Sequence, residues 1–378
     1  MKIVIAPDSF KGSLTASHVC ASIAAGVWRA SPDVEIVPVP MADGGEGTMQ
    51  SLIDGLGGEI VTCEVDDPLG RTVTASYGIT LSGTAIIEMA QASGLTLLAE
   101  NERNPLHTST YGTGQMIKDA LDKDVRNFII GIGGSATNDG GAGMAQALGY
   151  RFISDDGGEL PRGGGALSRL SRIEWVDSDV RITYSDFTIA CDVDNPMLGE
   201  RGASAVFSPQ KGATPTKAAL LDKSLTKLAS RMKEDLGKDV ADIPGAGAAG
   251  GLGAGCMAFL NAKLKRGVDI VIDATELAKK MAGAALVITG EGRTDSQTLG
   301  GKTVYGVTML AKSLGIPAIV ISGSLAGGAE GLQRLGAVRI YELMEKGVDM
   351  ETAIKDGADL LQARAERAMR EYLGSVKK

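Results

Sequence analysis

Acidic residues follow the ends of several predicted strands, and each lies beside or close to glycine. They are Asp8, Asp43, Asp192 and the pair Glu291 and Asp295. In open α/β sheets, ligands bind in the crevice outside the carboxyl ends of the strands. Carboxylates that meet there repel one another unless cations share the space. The positions of these residues therefore predict a charged ligand site made of loops.

Cations occur in the same predicted loops, at Lys11, Lys211, Arg293 and Lys302. Asp with Lys or Arg and glycine-rich loops, without His or Cys, is the residue set of magnesium and phosphate chemistry. The reason is that Mg2+ takes hard oxygen ligands and favours phosphate as a co-ligand. The two histidines and four cysteines of the chain are scattered in sequence. A zinc site or a His-based catalytic triad is therefore not expected.

The most glycine-rich candidate is the segment 131–143, GIGGSATNDGGAG, which follows the apolar run 128–130. The apolar run, the glycines and the helical pattern from Met144 predict a strand–loop–helix unit. Backbone N–H groups at the start of a helix favour an anion, so this loop is a candidate phosphate site. The alternative is a tight turn in which glycine supplies a positive φ and nothing binds. A second glycine loop, 290–301, is expected to hold phosphate in the same way.

Phosphoryl transfer requires two positioned substrates, neutralised charge on the transferred group and a base near the attacking hydroxyl. The catalytic candidates are Asp192, Asp295, Lys11 and Asp8. The candidate Mg2+ ligands are Asp43, Asp192 and Asp295, any of which could instead act as the base. The substrate- or phosphate-binding candidates are Gly133, Gly134, Ser135, Thr137, Asn138, Asp139, Gly290, Gly292, Arg293, Lys302 and Lys211. For each residue a turn or capping role is the alternative, since Asp beside Gly is ordinary turn chemistry.

Two familiar nucleotide-binding motifs have partial matches. Residues 301–303, Gly-Lys-Thr, resemble the end of a P-loop, but Ser296 stands where that motif requires glycine. Residues 131–136 fit the looser dinucleotide pattern GxGxxA, and Asp155-Asp156 follows about twenty residues later. A second match, 245–250, has no clear strand before it. A nicotinamide-dependent oxidoreductase of a small hydroxy acid is therefore the alternative to a kinase, although it leaves the distant acidic loops unexplained.

Strands and helices alternate at both ends of the chain, and these elements must position the candidate residues. Consecutive strand–helix units predict a parallel sheet with right-handed crossovers. The stretch after Tyr150 is expected to consist of polar, glycine-rich connections, and a long helix is expected from Pro215. The predicted strands are 3–6, 34–39, 60–65, 73–79, 85–90, 128–130, 187–191, 203–207, 268–272, 285–289 and 318–322.

The fold class expected from this order is α/β with two domains, as the length of 378 residues allows. A discontinuous, doubly wound (Rossmann-like) parallel-sheet domain comes from both chain ends, 1–62 and 284–378. A second, mixed α/β domain, 63–283, is inserted into it. The active site is expected in the cleft between the two domains.

Composition limits the partners and the compartment. A net charge of −8 and a pI near 5.1 argue against nucleic acid or an anionic membrane surface as a partner. The N-terminal apolar run is too short for a signal peptide, and no uncharged run approaches the length of about 18 apolar residues that a membrane span needs. Cys20, Cys63, Cys191 and Cys256 form no CxxC pair. Reduced, structural thiols in a cytoplasmic protein with small-molecule partners are therefore expected.

Six blocks of sequence carry a resemblance to a known family. They are IAPDSFKGSLTA (5–16), MADGGEGT (41–48), IIGIGGSATNDGGAGMAQALG (129–149), ACDVDNPMLGERGASAVFSPQKGA (190–213), PGAGAAGGLGAG (244–255) and ITGEGRTDSQTLGGKT (288–303). In this order, over nearly the whole chain, they resemble the bacterial type 1 glycerate kinase (glycerate 2-kinase) family. Relatives usually have a proline soon after the Gly-Lys pair, whereas this chain continues as Thr303-Val304-Tyr305.

The resemblance implies two α/β domains with the active site between them. It also implies ATP-dependent phosphorylation of glycerate with Mg2+, commonly at the 2-hydroxyl to give 2-phosphoglycerate. The metabolic setting that it implies is glyoxylate or sugar-acid breakdown. The absence of this proline bears on how rigid the substrate loop is, and it does not change the class of reaction that the resemblance implies.

Overall fold

The computed structural model describes residues 1–296, 298, 301–327, 331–345 and 347–376. The chain forms two compact units: a terminal unit, Met1–Gly57 with Arg266–Lys378, and an inserted unit, Gly58–Lys265. The sequence placed the corresponding boundaries at 62/63 and 283/284. The first boundary lies earlier because Gly58 already pairs with Thr80 in the sheet of the inserted unit. The second lies earlier because Gly267 packs against the backbone of Asp43 in the terminal unit.

The helices and strands follow in chain order. The terminal unit begins with β1 (Lys2–Ile5), α1 (Ala16–Ala30), β2 (Glu35–Pro38) and α2 (Thr48–Leu56). The inserted unit contains β3 (Gly58–Asp66), β4 (Thr72–Thr80), β5 (Thr84–Glu88), α3 (Ala90–Ser93), α4 (Tyr111–Asp122), β6 (Asn127–Gly131), α5 (Ala142–Ala147), β7 (Arg151–Ser154), β8 (Leu170–Glu174), β9 (Asp186–Ala190), α6 (Ala203–Phe207), α7 (Pro215–Leu236), α8 (Ala248–Phe259) and β10 (Lys263–Lys265). The chain returns to the terminal unit with α9 (Gly267–Ala274), α10 (Leu277–Met281), β11 (Leu286–Thr294), α11 (Thr303–Ser313), β12 (Ala318–Leu325), α12 (Gly331–Leu335), β13 (Ala337–Glu342), α13 (Met350–Lys355) and α14 (Gly357–Val376).

The terminal unit contains a parallel sheet in the order β13-β12-β11-β1-β2. Ile3 and Ile5 of β1 pack with α1 and α14 on one face, whereas Val320 of β12 packs with α11 and α12 on the other. Gly26 lets α1 approach α14 closely, since a Cβ there would lie 2.2 Å from the carbonyl oxygen of Gln362. The sheet therefore has helices on both faces and is doubly wound, as the sequence predicted. Strand order reverses between β1 and β11, which makes that position the topological switch point.

The inserted unit contains a mixed sheet in the order β10-β9-β6-β5-β4-β3. Strands β10, β9, β6 and β5 run parallel, and β4 and β3 extend the sheet antiparallel. The large buried side chains of this unit, such as Phe128, Phe152 and Phe259, belong to one hydrophobic core. The mixed α/β class expected for the middle of the chain is therefore confirmed. Across the described residues, no helix is both long enough and apolar enough to cross a membrane.

Two predicted strands are wrong. Residues 203–207 form helix α6, and residues 268–272 lie in helix α9. Periodicity alone cannot show whether such a short apolar run forms a strand or a helix. In α9, Val268 and Val271 are buried one turn apart, and Arg266 pairs with Asp269 at helical spacing.

The stretch after Tyr150 was expected to contain only connections, but it contains an antiparallel pair, β7 with β8. Its two strands are separated by a long loop, so that no short hairpin turn marked the pair in the sequence.

Candidate active site

Asp8 lies just past the carboxyl end of β1, at the switch point of the terminal sheet. It is 8% exposed, and its backbone N–H donates to the carbonyl oxygen of Gly290 at 2.8 Å. Its Oδ1 accepts from the backbone N–H of Ser9 at 2.7 Å, and its Oδ2 accepts from Thr303 Oγ1 at 2.6 Å. Burial, followed by the charge of Asp43, raises the pKa of Asp8 to about 6. A carboxylate with that pKa is suited to accept a proton near neutral pH.

Asp43 and Lys11 form an ion pair in the terminal unit, with 3.8 Å between Lys11 Nζ and Asp43 Oδ2. The Asp43 side chain is 18% exposed and that of Lys11 is 66% exposed. Asp43 Oδ1 also accepts from the backbone N–H of Gly45 at 3.0 Å, which fixes the carboxylate in its loop. Lys11 lines a cavity of about 460 Å³ together with Ser9 and Gly47. Lys11, the cation of this ion pair, thus lines a space that a ligand can enter.

Glu291 is a buried carboxylate that the sequence noted beside Asp295 but did not select. Its Oε1 accepts from Thr298 Oγ1 at 2.7 Å and from Thr294 Oγ1 at 3.0 Å. Burial raises the pKa of Glu291 to about 7, opposed by those two hydrogen bonds and by the charge of Lys302. Asp8 and Glu291 are therefore neighbouring acidic groups that both titrate near neutral pH.

The predicted glycine loop 290–301 is partly a strand, because β11 continues to Thr294 and pairs with β12 as far as Leu325. Gly290 serves close packing there, since a Cβ would lie 2.0 Å from the carbonyl oxygen of Ile321. Gly292 faces the backbone of Phe10, which a Cβ would approach to 3.3 Å.

The rest of that loop carries the other predicted residues. Arg293 Nε lies 3.6 Å from Asp295 Oδ2, and Lys302 occupies the N-cap position of α11. Residues 297, 299 and 300 of the predicted loop lie outside the described residues. Gly290, Gly292, Arg293, Asp295 and Lys302 thus come together at the end of β11 with Asp8 nearby.

The inserted unit has a second polar edge, where four parallel strands end in one row. Glu88, Gly131, Ala190 and Lys265 are in register across β5, β6, β9 and β10. Asp192 follows this row by two residues and is exposed. Gly133 and Gly134 also follow it and are exposed in a tight turn, with φ of +72° at Gly134. The strand-end rule therefore placed Asp192 and the first glycines of the loop at the same edge of one sheet.

Lys211 is buried against the glycine loop, with 1% exposure. Its Nζ donates to Ser135 Oγ and to the carbonyl oxygen of Thr137, both at 2.6 Å. Burial lowers the pKa of Lys211 to about 7, while the nearby charge of Asp139 acts in the opposite direction. Lys211 thus supports the loop from behind.

Asp139 is fully buried and holds the same loop together. It accepts from the backbone N–H of Thr110 at 2.8 Å and from those of Gly141 and Gly143 at 3.2 Å each. Asn138 donates to Ser204 Oγ at 3.0 Å, whereas its Oδ1 is buried without a hydrogen-bond partner among the residues described. Asp139 and Asn138 therefore shape the loop from inside, and Gly133, Gly134 and Ser135 form its outer part.

Three residues near these edges were missed by the sequence reasoning. Thr303 and Glu88 are almost fully buried, and the side chain of Arg266 lies close to Gly301. Glu88 could have been selected from the sequence, because it directly follows the apolar run 85–87 in a predicted strand. No local signal marked Thr303, because its partner Asp8 is 295 positions away.

The oxidoreductase alternative is not supported. The dinucleotide pattern requires its glycines to open a helix, but α5 begins only at Ala142, after Gly141 in a left-handed conformation. Asp155-Asp156, which would bind the ribose, lies in a turn after β7, and β7 pairs only with β8 in a separate antiparallel sheet among the described strands. The second match at 245–250 leads into left-handed residues and not directly into regular helix.

The donor set of the terminal unit fits magnesium. Among the side chains that the structure describes, no group of three or more His, Cys, Asp or Glu is arranged to hold a metal ion. Mg2+ does not need such a group, since it keeps several waters and binds through one or two carboxylates plus substrate phosphates. Asp43, oriented by Gly45 and close to Lys11, is a carboxylate of the kind that such a site uses.

The parallel strands of both α/β units end near carboxylates, cations and glycine turns, which is the residue set of phosphoryl-transfer chemistry. The model of the glycerate kinase family matches residues 3–373. The chain therefore belongs to the glycerate kinase family, which confirms the resemblance seen in the sequence.

Individual relatives agree with this assignment. The chain is 51% identical over 366 residues to a glycerate kinase of Halalkalibacterium halodurans, covering 96% of both chains. It is 46% identical over 368 residues to the glycerate 2-kinase of Escherichia coli, covering 97% of this chain and 96% of the relative. A crystal structure from Salmonella typhimurium LT2, assigned to glycerate kinase 2, matches with a TM-score of 0.93 and 44% identity over 100% of both chains.

Proposed function

We propose that this protein transfers the γ-phosphoryl group of ATP to glycerate in the presence of Mg2+, at the 2-hydroxyl, giving 2-phosphoglycerate. Family membership supports glycerate and ATP as substrates, and the name of the Escherichia coli relative supports the 2-position. The observation that carries the proposal is Asp8, a buried carboxylate at the topological switch point with its pKa raised to about 6.

Asp8 is the proposed general base. A base must be ionised before the reaction and must bind the proton of the attacking hydroxyl as charge develops, which favours a pKa near the working pH. Burial supplies that pKa, and the hydrogen bonds from Ser9 and Thr303 hold the carboxylate in one orientation. Activity is then expected to rise with pH as Asp8 loses its proton.

Lys11, Arg293 and Lys302 are proposed to offset negative charge on the phosphates or on the carboxylate of glycerate. Lys11 suits this role because its side chain is largely exposed beside the cavity at Ser9 and Gly47. Asp43 and Asp295 are the proposed Mg2+ ligands of this unit. When bound, the metal would neutralise charge on the transferring phosphoryl group.

The polar edge of the inserted unit is proposed to bind the other charged groups of the substrates. Gly133 and Gly134 present exposed backbone after β6, and Asp192 follows β9. Asp192 is the proposed Mg2+ ligand or second acid–base group of this unit.

The test is ADP release measured with ATP, Mg2+ and a panel of hydroxy acids. Release that requires both glycerate and Mg2+ supports the proposal, and the absence of ADP with every hydroxy acid refutes it. Coupling to enolase identifies the position of phosphorylation, because enolase accepts 2-phosphoglycerate and not 3-phosphoglycerate. Loss of nearly all turnover in Asp8→Asn and Lys11→Ala, with melting temperatures no lower than that of wild type, supports the assigned roles, and near-normal turnover in both contradicts them.

A further inference from the structure

Lys211 is a buried cation whose contacts are all internal to the inserted unit. It ends the short 3-10 helix Pro209–Lys211, and its Nζ donates to Ser135 Oγ and to the carbonyl oxygen of Thr137 at 2.6 Å each. With 1% exposure, it has no ion-pair partner within 4.0 Å in the part of the chain that the structure describes. Burying the charge of a lysine in this way costs free energy. A neutral hydrogen-bond donor would stabilise the loop with a smaller cost if the role of the bond were only structural.

The contact with Ser135 determines what that hydroxyl can do. A hydroxyl has one hydrogen and two acceptor lone pairs. Because the ammonium of Lys211 donates to Ser135 Oγ, the hydrogen of Ser135 must point elsewhere. Among the described residues no acceptor takes that hydrogen, and Ser135 directly follows the exposed turn of Gly133 and Gly134.

We propose that Lys211 is a positioning residue, which fixes Ser135 as a hydrogen-bond donor to an anionic oxygen of a bound substrate without touching the substrate itself. This inference rests on the proposed function and changes the role expected for Lys211 from the sequence, where it was a candidate for binding substrate or phosphate. The second bond, to the carbonyl oxygen of Thr137, holds the loop at the distance that the first bond requires.

The charge of Lys211 controls the direction of the hydrogen bond. As an ammonium, Lys211 can only donate, and Ser135 keeps its hydrogen for the substrate. As a neutral amine, Lys211 can accept that hydrogen and withdraw it from the substrate. One other charged group acts on Lys211, namely Asp139, which favours the ammonium. Because burial lowers the pKa of Lys211 to about 7, this change falls near neutral pH.

The experiment compares wild type, Ser135→Ala, Lys211→Met and the double variant in ADP release, with ATP and glycerate varied in turn. Lys223→Met, an exposed lysine on α7, is the matched control. Hydrogen bonds to charged groups have strengths that correspond to about tenfold to a hundredfold effects. Each single variant is expected to lower kcat/KM by that factor, through the KM of the same substrate, while the double variant is no worse than the more impaired single variant.

The pH profile gives a readout that a merely structural role would not move. In wild type, kcat/KM is expected to fall as pH rises through about 7, because the free enzyme loses the ammonium. Lys211→Met is expected to lack this fall. Multiplicative losses in the double variant, or a fall that persists in Lys211→Met, would overturn the inference.

Ser135→Ala keeps the test decisive if Lys211→Met does not fold. Unchanged kcat/KM in Ser135→Ala overturns the inference by itself. If wild type releases no glycerate-dependent ADP, the proposed function fails, and the inference is tested by the rise in melting temperature with MgATP or with glycerate. An equal rise for both ligands in wild type and Ser135→Ala would then overturn it as well.

Discussion

Replacing Thr303 by valine tests whether Asp8 is the base. Thr303 is 1% exposed, and its hydroxyl donates to Asp8 Oδ2 at 2.6 Å. Valine has the same shape but no hydroxyl, so Asp8 Oδ2 loses a donor in a site that solvent hardly reaches. This hydrogen bond lowers the pKa of Asp8, against the effect of burial. Without it, the protonated form of Asp8 is favoured and the base is lost at low pH.

The expected size follows from the strength of the bond. A hydrogen bond to a charged group contributes about 1.5–3 kcal/mol, and one pKa unit corresponds to about 1.4 kcal/mol. The pKa of Asp8 should therefore rise by about one to two units in Thr303→Val. At about pH 5, on the acid limb of the free enzyme, kcat/KM should therefore be about tenfold to a hundredfold lower than in wild type.

The assay is glycerate-dependent ADP release from about pH 5 to about pH 9, the range in which catalytic groups of this kind titrate. Thr303→Ser is the matched control, because it keeps the hydroxyl and should keep the wild-type acid limb. If Thr303→Val also keeps the wild-type limb while remaining folded, Asp8 is not the group that titrates, and its assignment as the base is refuted.

Three further predictions concern stability, each measured by urea unfolding. Since the pKa of Asp8 rises from 3.8 to about 6 on folding, its buried charge costs up to about 3 kcal/mol above pH 6. Asp8→Asn should recover that free energy at about pH 8. It should recover none below the unfolded-state pKa, because Asp8 is protonated there in both the folded and the unfolded state. An equal gain in stability at all pH values would contradict the burial of the Asp8 charge as the cause. Gly290→Ala should destabilise by about 1–3 kcal/mol, since its Cβ would lie 2.0 Å from the carbonyl oxygen of Ile321, whereas Gly327→Ala, which has open space, should not. Asp139→Ala should destabilise by more than about 3 kcal/mol because it leaves buried N–H groups unpaired, and Asp139→Asn, which keeps an acceptor, should cost less; equal losses would mean that the charge and not the acceptor matters.

The architecture at the two chain ends could be predicted from local patterns. The run Ile3-Val4-Ile5 is buried on both faces, as a central parallel strand requires, and it is followed by a helix with a regular apolar stripe. Such signals lie within one element and need no knowledge of the rest of the fold. The predictions at 203–207 and 268–272 were wrong because those runs are short, and contacts with other elements determine whether a short apolar run becomes a strand or a helix.

Only one rule selected residues of the candidate site from the sequence. The rule that ligands bind at strand ends selected Asp8, Asp43 and Asp192 from positions along the chain alone. The rule does not predict hydrogen bonds between residues that are far apart in sequence. Thr303 lies 295 positions from Asp8, and Lys211 lies 76 positions from Ser135. For the same reason the burial of Lys211 behind the loop could not be predicted from the sequence, since it depends on where residues 208–212 pack.

Burial, and not pairing with an opposite charge, is the largest cause of the pKa shift at Asp8, Glu291 and Lys211, which lie near the two polar edges. It raises the pKa of Asp8 to about 6 and of Glu291 to about 7, and it lowers the pKa of Lys211 to about 7. An ion pair would instead stabilise the charged forms and move each pKa away from neutrality. Each group keeps its charged form accessible through hydroxyl or carbonyl partners, which orient it without neutralising it. Both units of this kinase therefore carry groups whose protonation changes near neutral pH.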